Sequence, residues 1–201
     1  MLFYLSSQDS NSRGRGYGDG VEENLHRAFN FLEPRRHAPP VKYISNFHTT
    51  FHLRRTYEKM LTIDHTNAVV VINIGVNNVR WGKRTQWTHH GIEDRHGQTH
   101  HGYMKKIVDL LKEQTHPSNI IILQSAPSTK YPMDEFNRAS QHLCQTEGII
   151  FAPTMVKEHH LWNDGYHIHD AHRHLLVKSV AAAIMGIDPV RGFGNPKRQL
   201  S

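Results

Sequence analysis

The stretch NAVVVINIG, residues 67–75, is an almost unbroken run of apolar and β-branched residues. A strand with one wet face alternates polar with apolar residues. A run without alternation predicts a strand covered on both faces, the condition of a parallel sheet between two layers of helices. NIIILQS (119–125) and IIFAP (149–153) repeat the signature, and LFYLSS (2–7) and VKYIS (41–45) are shorter strand candidates.

Between these strands the period changes to that of a helix. Val21, Leu25, Ala28 and Leu32 recur at helical spacing in VEENLHRAFNFL, as do Phe51, Tyr57, Met60 and Leu61 in FHLRRTYEKMLTI. YMKKIVDLLKEQ (103–114) and MDEFNRASQHLCQTEG (133–148) follow, the latter ending at a capping glycine, Gly148. The last helix is DAHRHLLVKSVAAAIMG (170–186), with Asp170 as the expected N-cap and Gly186 as the C-cap. Strands alternating with helices predict a three-layer α/β/α sandwich around a parallel, flavodoxin-like five-stranded sheet. One domain over residues 1–187 and a loosely held tail over 188–201 are expected. In such sheets ligands bind outside the carboxyl ends of the strands, so the residues just past each strand carry the functional information.

Composition narrows the function classes. The lone Cys144 can form no internal disulfide. A formal charge of +6, with 18 histidines besides, permits an anionic partner, but the basic pairs Arg35-Arg36, Arg54-Arg55 and Lys105-Lys106 are scattered and fit no recognition motif. Nucleic acid is therefore not the expected partner. No apolar run approaches the roughly 20 residues that cross a bilayer, and the chain reads as cytosolic or as a soluble domain of a longer secretory-pathway precursor.

Three short blocks stand at strand ends or before the last helix: Asp9-Ser10 after the first strand, Gly75-Val76-Asn77-Asn78 after the third, and Asp164-Gly165-Tyr166-His167 ahead of the final helix. In this order they resemble the SGNH/GDSL hydrolase superfamily, from the first strand to the last helix. Arg13 and the stretch DGYHIHDAHRHLL look further like its PC-esterase branch, whose members act on O-acyl groups of glycans. The resemblance implies a serine esterase or acyl hydrolase, or an acyltransferase acting on ester bonds, with no cofactor and no metal. A serine hydroxyl needs an imidazole to take its proton, and the imidazole needs a carboxylate to hold one tautomer. Ser10, His167 and Asp164 fill those roles. The oxyanion donors would be the Ser10 N–H, the Asn77 amide and a backbone N–H at His48, in the second block. Arg13, Trp81 and Trp87 would contact a small-molecule or glycan ester.

The chain departs from the family pattern at three points. Gln8 stands where the first block has glycine, NFHTT (46–50) lacks the second-block glycine, and Asn78 replaces the third-block aspartate. A backbone N–H donor survives any side chain but proline, so the oxyanion hole is compatible with the first two changes. Two other classes remain open on the sequence: a catalytically inactive relative that binds ligand, and a metal-binding protein built on the clusters His89, His90, His96, His100, His101 and His167, His169, His172, His174.

Overall fold

A computed structural model describes residues 2–7, 41–45, 53–66, 68–74 and 100–186. The strands are β1 (Leu2–Ser7), β2 (Val41–Ser45), β3 (Val69–Ile74), β4 (Ile120–Leu123) and β5 (Ile150–Ala152). The helices are α1 (Leu53–Met60), α2 (His100–Gln114), α3 (Met133–Glu147) and α4 (Arg173–Ile184). All strand pairs are parallel, in the order β2-β1-β3-β4-β5.

The apolar runs are explained by where alternate residues go. Val70 and Ile72 pair in register with Ile120 and Ile122 and pack with Met60 of α1, Met104, Ile107, Val108 and Leu111 of α2, and Phe136 and Leu143 of α3. Val71, Ile121 and Leu123 face the opposite way, onto Leu176, Val177, Val180 and Ala181 of α4. These side chains are 0–5% exposed, and each Val, Leu, Ile, Met or Phe among them contributes about 1.5–3 kcal/mol by leaving water. Both faces of the central strands are dry, and Asn73, the one polar residue within β3, is buried with its neighbours.

Helix ends show where local chemistry suffices and where it does not. Gly148 adopts φ +68° and returns its N–H to Cys144 O, the C-cap that the sequence predicts. Asp170 is not the N-cap of α4. Asp170–His172 form a 3-10 turn capped by His169, whose ring Nδ1 accepts from the Ala171 N–H at 3.2 Å, and α4 starts behind it at Arg173 with His172 as its N-cap. Asp170 instead pairs with Arg173 Nη2 at 2.8 Å. The inserted turn moves the cap position away from the aspartate. α2 likewise begins at His100, ahead of the expected Tyr103, despite the weak helix propensity of its His-His-Gly start. The expected helix over residues 21–32 and the tail lie outside the described residues. Among the described residues no helix is long and apolar enough to cross a membrane.

Candidate active site

The carboxyl ends of β2, β1 and β3 lie side by side, with Ser6 opposite Ser45 and Ser7 opposite Ile74. Ser10, His48 and Asn77 each follow one of these ends by three residues in the chain. Those three, with Arg13, Trp81 and Trp87, lie outside the described residues. The structure does describe Asp164 and His167, and it brings them together.

The Asp164-His167 pair is built by a local turn. Asp164 Oδ1 accepts from the N–H of Tyr166 at 3.1 Å and of His167 at 3.0 Å, an Asx-type turn that needs only four residues. Its other oxygen, Oδ2, accepts from Nδ1 of the His167 ring. The carboxylate thus fixes the ring with its proton on Nδ1, leaving Nε2 as the basic nitrogen. The two side chains are 35% and 30% exposed, so the imidazole is open to a substrate. Partial burial opposes the charge on Asp164, but the hydrogen bonds from His167 and Tyr166 together outweigh it and hold the carboxyl below its ordinary range.

A second set of bonds ties this turn to the sheet. Gln124, just past β4, donates its N–H to Ala152 O at 2.7 Å, and the Asn137 amide of α3 brackets Ser125, accepting from its N–H at 2.9 Å and donating to its carbonyl at 3.1 Å. The same segment then reaches the turn. Ser128 Oγ and the Thr129 N–H both donate to Gly165 O, at 2.8 and 2.9 Å. Gly165 has φ +77°, and a Cβ there would stand 2.1 Å from Thr129 Oγ1, so backbone conformation and space both require glycine. Tyr166 packs its ring against His167 with centroids 4.2 Å apart and meets Tyr131 edge-on at 5.6 Å. Sequence reasoning missed Ser128, Thr129 and Tyr166 as supports. The Asp-Gly dipeptide signalled a turn, but nothing local signalled its anchor 36 residues away.

Rival sites are weaker. Burial pushes the thiol of Cys144 up to about 12, so it is no competing nucleophile. Among the described residues no group of three His, Cys, Asp or Glu side chains is arranged to hold a metal ion. A cleft of about 470 Å³ beside α3, lined by Gln124, Asp134, Asn137, Arg138 and Phe151, includes neither Asp164 nor His167. Its Gln124 and Asn137 side chains are already committed to backbone partners.

No protein-family model and no curated protein matches the chain. Solved structures do. A carbohydrate esterase family 3 protein from Talaromyces cellulolyticus matches with a TM-score of 0.62 at 13% identity, over 92% of this chain and 96% of that one. An acetyl xylan esterase from Geobacillus stearothermophilus matches at 0.57 and 15% identity, over 91% and 93%. A member of the lipolytic G-D-S-L family from Veillonella parvula matches at 0.58 and 10% identity, over 90% and 96%. The chain therefore has the fold of the SGNH/GDSL hydrolases, as the motif order implies.

Proposed function

We propose that this protein is a serine esterase that hydrolyses O-acyl esters, with Ser10 as nucleophile, His167 as base and Asp164 as the carboxylate that orients it. The observation that carries the reading is the Asp164-His167 pair: a carboxylate pinned by two backbone N–H groups and holding the Nδ1 proton of a solvent-accessible imidazole, in a fold shared with esterases. Chain connectivity supports the rest. Three residues reach about 10 Å at full extension, so Ser10, His48 and Asn77 stay tethered near three adjacent strand ends.

In this reading Ser10 Oγ attacks the acyl carbon while Nε2 of His167 takes its proton. The same proton then passes to the departing alkoxide, and a water molecule repeats the cycle on the acyl-enzyme. The developing oxyanion is met by the Ser10 and His48 backbone N–H groups and the Asn77 amide, each contributing about 3 to 4 kcal/mol in comparable sites. We take the alcohol to be a glycan, with Arg13, Trp81 and Trp87 as contacts, residues 1–187 as one catalytic domain, and the PC-esterase-like branch as the finer placement.

The test is covalent labelling of the full chain with a fluorophosphonate, with the modified residue located by mass spectrometry. Modification at Ser10, abolished by Ser10→Ala and slowed at least a hundredfold by His167→Ala, is expected. Modification elsewhere, or none at neutral and mildly alkaline pH, overturns the assignment.

A further inference from the structure

We propose that the outward face of the ribbon formed by residues 160–162 and 167–169 is a carbohydrate-binding strip, which receives neutral sugar rings of the substrate beside His167. This rests on the esterase reading and names the part of the substrate that the chain recognises.

The geometry begins with one antiparallel bridge, Leu161 to Ile168. The Trp162 N–H donates to His167 O at 2.7 Å and the His169 N–H to His160 O at 2.9 Å, so Trp162 stands opposite His167 and His160 opposite His169. Side chains alternate along such a ribbon. Leu161 and Ile168 point inward, Ile168 being 1% exposed in the core beneath α4. His160, Trp162, His167 and His169 therefore share the other face, and the base belongs to it.

Rings then continue from that face onto the neighbouring turns. Trp162 lies on His169 with centroids 3.9 Å apart and planes at 31°. His169 neighbours His172 at 5.9 Å, His172 neighbours His160 at 4.7 Å, and His160 neighbours His159 at 4.0 Å. Trp162 is 44% exposed, whereas a tryptophan serving only as a packing anchor would be covered. Its partner ring holds it in one orientation with nearly half its surface left to solvent. That is the form of a stacking platform, whose apolar ring face matches the C–H face of a pyranose.

The polar atoms suit hydroxyl groups better than ions. His160 Nδ1 accepts from the Lys157 N–H at 2.9 Å and His169 Nδ1 from the Ala171 N–H at 3.2 Å, which leaves each ring an Nε2–H to donate. Burial, followed by the neighbouring imidazoles and Lys157, lowers the pKa of His160 and favours its uncharged form. Ring faces and N–H donors side by side call for a ligand with C–H faces and hydroxyl oxygens. A sugar chain supplies both the apolar faces and the hydroxyls that this band lacks.

The test uses the full chain with cellohexaose, xylohexaose and chitohexaose, none of which carries an ester, the acetyl groups of chitohexaose being amides. Binding is followed by the indole N–H resonance of Trp162 and by titration calorimetry. At least one of the three should shift that resonance in the wild type, and Trp162→Ala and His169→Ala should each weaken its binding tenfold or more. Leu61→Ala, which removes an exposed side chain elsewhere, should bind within twofold of the wild type. Failure of all three sugars to move the resonance at millimolar concentration overturns the strip, as does a Trp162→Ala protein that binds within twofold. The wild-type resonance decides the matter even if a variant does not fold. Fluorophosphonate labelling at Ser10 without sugar binding removes the strip and keeps the esterase, while sugar binding without labelling does the reverse.

Discussion

Replacing Asp164 by asparagine tests the catalytic reading at its narrowest point, because the structure dictates which way the new amide must face. In the wild type, Oδ1 accepts two backbone N–H groups and Oδ2 accepts from the His167 ring. An amide offers one acceptor oxygen and one donor nitrogen. Turning the nitrogen toward the backbone would oppose two donors with donors, leaving both N–H groups without a partner at about 1–3 kcal/mol each where they are shielded from water. The oxygen therefore stays on the backbone and the NH2 faces Nδ1 of His167.

That orientation reverses the imidazole. Nδ1 must now accept, so its proton moves to Nε2, the nitrogen that has to take the serine proton. Tautomer loss of this kind costs about 10⁴ in kcat in serine-protease triads, or about 5.4 kcal/mol of activation free energy. Stability should fall by only about 1 kcal/mol, because the amide keeps both backbone hydrogen bonds and exchanges a charge-assisted bond to the ring for a neutral one. The assay is kcat/KM on p-nitrophenyl acetate, paired with nitrogen-15 correlation spectra that report which ring nitrogen of His167 bears hydrogen. A folded Asp164→Asn protein within tenfold of wild-type turnover, or one whose proton remains on Nδ1, would refute the reasoning.

Gly165→Ala should lower stability by more than about 2 kcal/mol, combining positive φ with the 2.1 Å approach to Thr129 Oγ1, whereas Gly148→Ala, at φ +68° with nothing within 4 Å, should lose only about 1 kcal/mol. Equal thermal shifts would show that the Thr129 contact does not constrain the turn. Asp170→Ala removes a carboxylate whose side chain is 68% exposed, so its thermal midpoint and ester turnover should both stay close to the wild type. Because the Asp164 carboxyl is held below its ordinary range, its stabilising contribution is present above the unfolded value of about 3.9 and lost as pH falls through the lower folded value. The stability difference between wild type and Asp164→Asn should accordingly begin to shrink below about pH 5 and shrink further as pH falls, in urea titrations; a constant difference contradicts the linkage. Phe136→Ala, at a site 2% exposed, should cost about 3–5 kcal/mol in the same titrations, and a loss under about 1 kcal/mol would mean that the helix-to-sheet core is not where the structure puts it.

How much of this was legible in the sequence depended on how far each feature reaches along the chain. β3 and β4 were legible because burial on both faces writes itself into consecutive residues. The end of α3 was legible because a left-handed cap is decided by one residue, Gly148. The start of α4 was not, since the cap role passed from Asp170 to His169 and His172 once a 3-10 turn intervened, and turn type depends on how Ile168 is drawn into the core.

The site divides along the same line. Asp164 and His167 could be paired by eye because an Asx-type turn closes within four residues, and both hydrogen bonds to Oδ1 arise inside it. The anchor of that turn on Ser128 and Thr129 could not, because it joins segments separated by 36 residues through a carbonyl, and a carbonyl leaves no mark on residue type. The ring strip lies between these cases. His160-Leu161-Trp162 and His167-Ile168-His169 each alternate with period two, a strand signal that the histidine-rich background concealed. A cluster of histidines suggests metal when only its composition is visible. Once the ribbon pairs Trp162 with His167, the same residues become a face, and under the proposed assignment of His167 as the base that face is the one turned to the substrate.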